Sequence, residues 1–167
     1  QEDGPINLLW WNWHGPITAE LREGYKIELT RQPPPIYPDN YESADHEATH
    51  KEFARMGQRG YLEGPLKDKE KVYMTHPLAA VEKKLTDKVR IVIDMTASML
   101  NDCTRPPHFP LPTVQDAAAK AYPGCWMMTV DLVDGFYGVE VAEEHRKYLG
   151  LKHPSTGDLY RFTRLPM

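Results

Sequence analysis

Cysteine is nearly absent from this sequence. Only Cys103 and Cys125 occur in 167 residues, with no C-x-x-C and no zinc-like spacing. A disulfide framework and a cysteine-built metal centre are thereby set aside. The pair reads as ordinary reduced thiols, with a single disulfide as the lesser alternative. That usage suits an intracellular setting without naming a compartment. Long apolar runs are missing too. None approaches the roughly 18 residues that a membrane helix needs, and no basic-then-apolar leader opens the chain, so neither a membrane span nor an intact signal peptide is expected. The first residue is Gln1 rather than Met, which reads as an internal or processed piece. Repeats and low-complexity tracts are lacking.

An excess of positive charge is the third absence. The formal net charge is −4, with residues 1–65 at −5, residues 66–90 at +3 and residues 91–167 at −2. A nucleic-acid binder usually carries a strongly basic footprint. Here only the middle block leans basic, which counts against tight nucleic-acid binding by this stretch alone. What is present is a hydrophobic share of 41%, enough for a core, and a length that fits one domain or part of a larger one.

Residues 1–40 show weak periodicity, three tryptophans (Trp10, Trp11, Trp13) and the run "RQPPPIYPDN". Consecutive prolines exclude helix and central strand, so this is an extended arm, docked on the body by its aromatics. Residues 43–59 read as a helix with Ser43 as N-cap, Gly60 as its stop and Thr49, Phe53 and Met56 as the buried stripe. "VYMTHPLAAV" and "KVRIVIDM" read as strands joined by the polar hairpin "EKKLTD". "TVQDAAAKAY" is a short helix ended by Pro123-Gly124, and "CWMMTVDLVDGFYGVEV" an apolar strand running into a turn. "RKYLGLKHPSTGDLYRFT" is a pair of strands around a Pro-Ser-Thr-Gly turn.

Within the first helix, His46-Glu47-Ala48-Thr49-His50 is a literal H-E-x-x-H, which on a helix sets two histidines on one face as zinc needs. A catalytic zinc also needs a third protein ligand and an open position. No nearby histidine supplies it: Met56 stands where the third would be. Glu63 lies in a Gly-Pro turn and Glu70 in "KDKEK". The surrounding "ESADHEATHKE" is polar throughout, so the motif reads as an accidental match on a solvated face.

A stronger chemical pattern lies at "MTVDLVDGFYGVEV". An aspartate ends an apolar stretch, a second acid follows three residues later, and an aromatic pair comes after. Mg²⁺ takes its oxygens from one or two carboxylates plus substrate phosphates. Two such ions about 4 Å apart clamp both oxygens of an in-line phosphoryl displacement. Alone, D-x-x-D is as well explained by a turn or helix cap.

The order of blocks carries more weight. "HPLAAVEKKLTDKVRIVIDM", "LND", "FPLPTVQD", "MTVDLVDGFYGVEV", "EEHRKYLGL" and "GDLYRFTRLPM" together resemble the reverse transcriptase family, most of all the polymerases of retroviruses and retrotransposons. The likeness spans roughly residues 43–167, and "REGYKIELTRQPPP" resembles the lead-in segment of some retrotransposon polymerases. The resemblance implies an α+β fold with antiparallel sheets. Fingers would come from residues 41–104 and 139–167 and the start of the palm from 105–138, preceded by the Pro/Trp-rich arm at 1–40.

The resemblance also implies roles. Asp131 matches the first metal-binding aspartate and the Leu132 carbonyl its neighbouring metal contact. Asp134 and Gly135 match positions whose backbone amides approach an incoming deoxynucleoside triphosphate. Phe136 matches the aromatic gate, whose ring leaves no room for a 2′-hydroxyl, although a plain core phenylalanine is the competing reading. Lys83 and Arg90 match the fingers cations that close on the triphosphate, Lys as a point charge and Arg as a planar fork. Asn101 matches a polar residue after the second fingers strand. Thr96 departs from the pattern, standing where an arginine is common.

The family's later Y-x-D-D aspartate pair, its thumb and any ribonuclease H domain are not in this sequence. One aspartate cannot hold two catalytic ions, so this stretch by itself is expected to be inactive. Two function classes follow. One is a fragment of an RNA-directed DNA polymerase that works with Mg²⁺, a template-primer and deoxynucleotides once joined to the rest of the palm and thumb. The other is a reverse-transcriptase remnant serving as a structural or interaction subunit of a larger assembly.

Overall fold

A computed structural model describes residues 21–44, 47–82, 89–106 and 110–166. The tryptophans of the arm, His46 and Lys83 lie outside the described residues.

Helix α1 (Glu47–Gln58) buries Thr49, Phe53 and Met56, the stripe expected from their spacing. It ends where Gly60 adopts a φ of 70°, and the Tyr61 amide reaches back to the Met56 carbonyl at 2.9 Å, a glycine-terminated helix end. Ser43 is not its cap. It sits in a separate 3-10 turn, Glu42–Ala44, and its Oγ accepts from the Ala80 amide at 3.3 Å.

After α1, strand β1 (Leu62–Glu63) leads to β2 (Leu78–Glu82) and β3 (Val89–Ile93). The last two pair antiparallel, with Val81 opposite Arg90. The stretch ahead of β2, expected to be strand, is extended but finds other backbone partners: the Tyr73 amide binds the Lys147 carbonyl at 2.9 Å and the His76 amide binds the Gly150 carbonyl at 3.0 Å. The two chains approach so closely there that a β-carbon at Gly150 would strike the Met74 carbonyl and the Val72 side chain.

Helix α2 (Val114–Lys120) starts at Thr113, which exchanges hydrogen bonds with Asp116 in a capping box. Helix α3 (Glu143–Arg146) precedes β4 (Gly150–Lys152) and β5 (Leu159–Phe162). The last two form the expected hairpin, and β1 pairs on the far side of β5, so the sheet order is β1-β5-β4. All pairings in both sheets are antiparallel. The fold is therefore α+β.

Helix α1 packs on β3 and β1. Phe53 and Met56 join Met74, Leu78, Ile91 and Phe162 in one buried cluster. Across the core run two polar ties. His76 is fully buried, with Nε2 2.7 Å from the Tyr148 carbonyl. That oxygen can only accept, so Nε2 carries the proton and Nδ1 faces the Ser98 hydroxyl. Burial pushes its pKa below the ordinary histidine value. Arg161, 4% exposed, binds both Glu63 and Glu143.

The described part of the arm is laid across this body by backbone and side-chain bonds. Tyr25 exchanges hydrogen bonds with Glu140 and Ala142, and the Thr30 amide donates to the Cys103 carbonyl at 2.8 Å. Tyr37 donates to the Val72 carbonyl at 2.7 Å, and Asn40 bridges the Lys152 carbonyl and the Leu78 amide.

One expected element is not formed. Residues 125–132 make no strand, and Trp126, Met127, Met128, Val130, Leu132 and Val133 are exposed. The apolar composition is that of a buried strand, but a strand exists only where a neighbour takes up its amides and carbonyls. Both described sheets find their partners elsewhere. Among the described residues, no helix is long and apolar enough to cross a membrane.

Candidate functional site

The stretch after this unpaired segment turns sharply. Asp134 lies in the left-handed region, at φ 51° and ψ 37°, a conformation that aspartate tolerates better than most residues. A 3-10 turn, Gly135–Gly138, follows. Tyr137 drops into the core from that turn and stacks on Tyr61, centroids 4.4 Å apart and 6° from parallel. Desolvation, and then the Asp134 charge, push its phenol up to about 12. Tyr137 thus faces inward while its neighbour Phe136 stays 59% exposed.

Between this turn, α1 and β3 lies an open cavity of about 720 Å³, with Arg90, Asp131, Leu132, Asp134, Gly135 and Phe136 all in its lining. That volume is within the usual range of small-molecule sites, roughly 300–1,000 Å³. Residues about forty positions apart in sequence, Arg90 on β3 and the Asp131–Phe136 stretch, therefore meet at one concave surface. Lys83, the second expected cation, lies outside the described residues. Asn101 and Thr96 sit elsewhere, hydrogen-bonded to each other at 3.0 Å beside a second cavity that also includes Tyr41 and Asp94.

The two acids of the D-x-x-D pattern have different surroundings. Asp134 Oδ2 accepts from Arg59 at 2.7 Å, Tyr61 at 3.2 Å and Arg55 at 3.3 Å. Arg55 is itself held by Glu52, with contacts of 2.6 and 2.9 Å; chiefly through those bonds its guanidinium is held above its ordinary pKa. Asp131 is exposed on the same cavity and has no ion pair with any described residue, and the same is true of Arg90. Asp131 and Arg90 thus both border the cavity without an ion pair to any described residue.

A Mg²⁺ ion fits the free donors in part. The Asp131 carboxylate, the adjacent Leu132 carbonyl, water and substrate phosphates make a suitable oxygen set for one hard cation. Asp134 has its Oδ2 committed to Arg59, Tyr61 and Arg55, so it is a poorer donor than Asp131. Among the described residues, no group of three or more His, Cys, Asp or Glu is arranged to hold a metal. For the H-E-x-x-H stretch, His50 Nδ1 is 3.3 Å from the Ser155 hydroxyl, and its ring lies edge-on to His153 with centroids 5.5 Å apart. Glu63 is occupied by Arg161.

Arg55, Arg59 and Tyr61 had no functional reading in the sequence. Arg55 lies in the last turn of α1 and Arg59 just past its end, and their i, i+4 spacing signals a local cation pair. Nothing in that spacing points to an aspartate some 75 positions away. Compared with protein-family models the chain matches none, and comparison with curated proteins found no match either.

Proposed function

We propose that the chain is the fingers and first palm portion of an RNA-directed DNA polymerase of the reverse transcriptase kind. The observation that carries this reading is the shared cavity. Arg90 of one sequence block and Asp131, Leu132, Asp134, Gly135 and Phe136 of another line one open cleft, and neither Arg90 nor Asp131 has an ion pair among the described residues.

In this reading the cleft receives a deoxynucleoside triphosphate. Arg90 meets the phosphates, joined by Lys83. The amides of Asp134 and Gly135 approach the triphosphate, and Phe136 lies beneath the sugar and excludes a 2′-hydroxyl. Asp131 and the Leu132 carbonyl would hold a Mg²⁺ ion, which would supply neutralisation of the phosphate charge. Residues 41–104 and 139–167 are then fingers and residues 105–138 palm. Of the two acids of the D-x-x-D pattern only Asp131 lacks an ion pair among the described residues, so in this reading the stretch binds nucleotide and the transfer step needs further acidic ligands.

A second reading draws on the exposed apolar residues of 126–133. An open apolar stretch of this kind is a typical place for another chain to bind, as in a remnant retained as a structural subunit. The two separate by calorimetry of the purified chain with dTTP and Mg²⁺. The polymerase reading expects binding that is lost in Arg90→Ala and weakened in Asp131→Asn. No heat at millimolar nucleotide, or binding indifferent to Arg90, would leave the structural reading in its place.

A further inference from the structure

We infer that Arg59, supported by Arg55 and Tyr61, is a positioning residue for the Asp134–Phe136 turn: it clamps Asp134 to α1 so that Phe136 faces the cleft in one fixed orientation. The inference rests on the nucleotide reading above and extends it to residues outside the matched motif. Three observations support it. Asp134 occupies the residue before a 3-10 turn, where an aspartate normally accepts a hydrogen bond from the first amides of the turn. It makes no such bond. Its carboxylate turns away instead, and one oxygen collects Arg59, Tyr61 and Arg55.

The backbone there is left-handed, a conformation that persists for a non-glycine residue where surrounding contacts hold it. On its far side the turn is fastened by Tyr137, whose ring stacks on the same Tyr61 that donates to Asp134. Phe136 lies between these two fastenings and is itself exposed. Its ring is more exposed than covered, so its place relative to a bound sugar is set mainly by the turn. Arg59 contributes the shortest of the three bonds, through a single nitrogen. A lysine can replace a single-nitrogen contact but not a bidentate one.

The test uses the full 167-residue chain with three variants, Arg59→Met, Arg59→Lys and Asp134→Asn, and two readouts. Amide hydrogen exchange at Val139, whose amide closes the turn on the Phe136 carbonyl, is expected to quicken roughly tenfold in Arg59→Met and Asp134→Asn, the loss of about one charge-assisted bond. Arg59→Lys should restore most of the protection. The ratio of affinities for dTTP and the corresponding ribonucleotide, both with Mg²⁺, should fall toward unity in the first two variants and recover in the lysine variant. The urea midpoint is measured alongside, because a merely structural arginine would move stability and leave the ratio alone. Unchanged exchange in Arg59→Met overturns the clamp outright. Faster exchange with an unchanged nucleotide ratio overturns the positioning role while the nucleotide reading stands. Faster exchange in a chain that binds no nucleotide at all overturns the nucleotide reading, and the positioning role with it.

Discussion

Removing the Tyr137 ring is the perturbation whose cost follows most directly from the structure. The side chain is 9% exposed and stacks on Tyr61 with centroids 4.4 Å apart. A buried aromatic hides about 150–250 Å², which at about 25 cal/mol/Å² is roughly 4–6 kcal/mol, an upper bound because unfolded chains already hide part of that area. Large-to-small aromatic changes in cores cost about 3–5 kcal/mol. Tyr137→Ala is therefore expected to lower stability by about 3–4 kcal/mol, a large share of a typical domain's total of about 5–15 kcal/mol. Tyr137→Phe keeps the ring and the stack, and should cost under about 1 kcal/mol. Urea unfolding followed by far-ultraviolet circular dichroism gives both values. A loss below about 1 kcal/mol for the alanine variant, or equal losses for both, would show that the ring does not fasten the turn, and the geometry of the cleft would need another explanation.

Other expectations concern pH, packing and specificity. The Tyr137 phenol, pushed up to about 12 by burial, favours the folded state below its unfolded pKa near 10; that contribution should fade as pH rises between the two, and Tyr137→Phe should abolish that part of the alkaline loss. His76 has its pKa lowered by burial, so the folded state prefers the neutral ring. Stability from this source should be full above the unfolded value of about 6.5 and decline as pH falls below it, and a pH–stability profile of His76→Gln lacking that decline would agree. Gly150→Ala should destabilise by about 1–3 kcal/mol, since its β-carbon would meet the Met74 carbonyl and Val72; a neutral outcome in thermal denaturation would show that the crossing yields. Primer-extension assays of the chain alone should register no incorporation, and incorporation abolished by Asp131→Asn would contradict the single-carboxylate argument.

Much of the local structure was legible because it is written in short-range patterns. The spacing of Thr49, Phe53 and Met56 carries α1, Gly60 its end, and the β-branched alternation of "VRIVI" carries β3. The β4–β5 hairpin follows from its turn residues. Legibility failed where an element depends on distant partners. Residues 125–132 have strand composition, yet no neighbour takes up their backbone, so they remain irregular. Residues 72–76 look like the start of β2 but spend their hydrogen bonds on the chain around Gly150. The same limit applies to the cleft. Asp131 through Phe136 and Arg90 stand out because their residue types and order are distinctive. Arg59 and Tyr61 are ordinary residues whose part depends on a carboxylate brought to them by the fold.

The most direct measurement of the central claim is a two-dimensional ¹H–¹⁵N spectrum of the chain titrated with dTTP and Mg²⁺. Saturable shifts should concentrate on the amides of Arg90, Asp134, Gly135 and Phe136, and Arg90→Ala should remove them. Shifts confined to other surfaces, or none at millimolar nucleotide, would contradict the assignment of this cleft to a deoxynucleoside triphosphate.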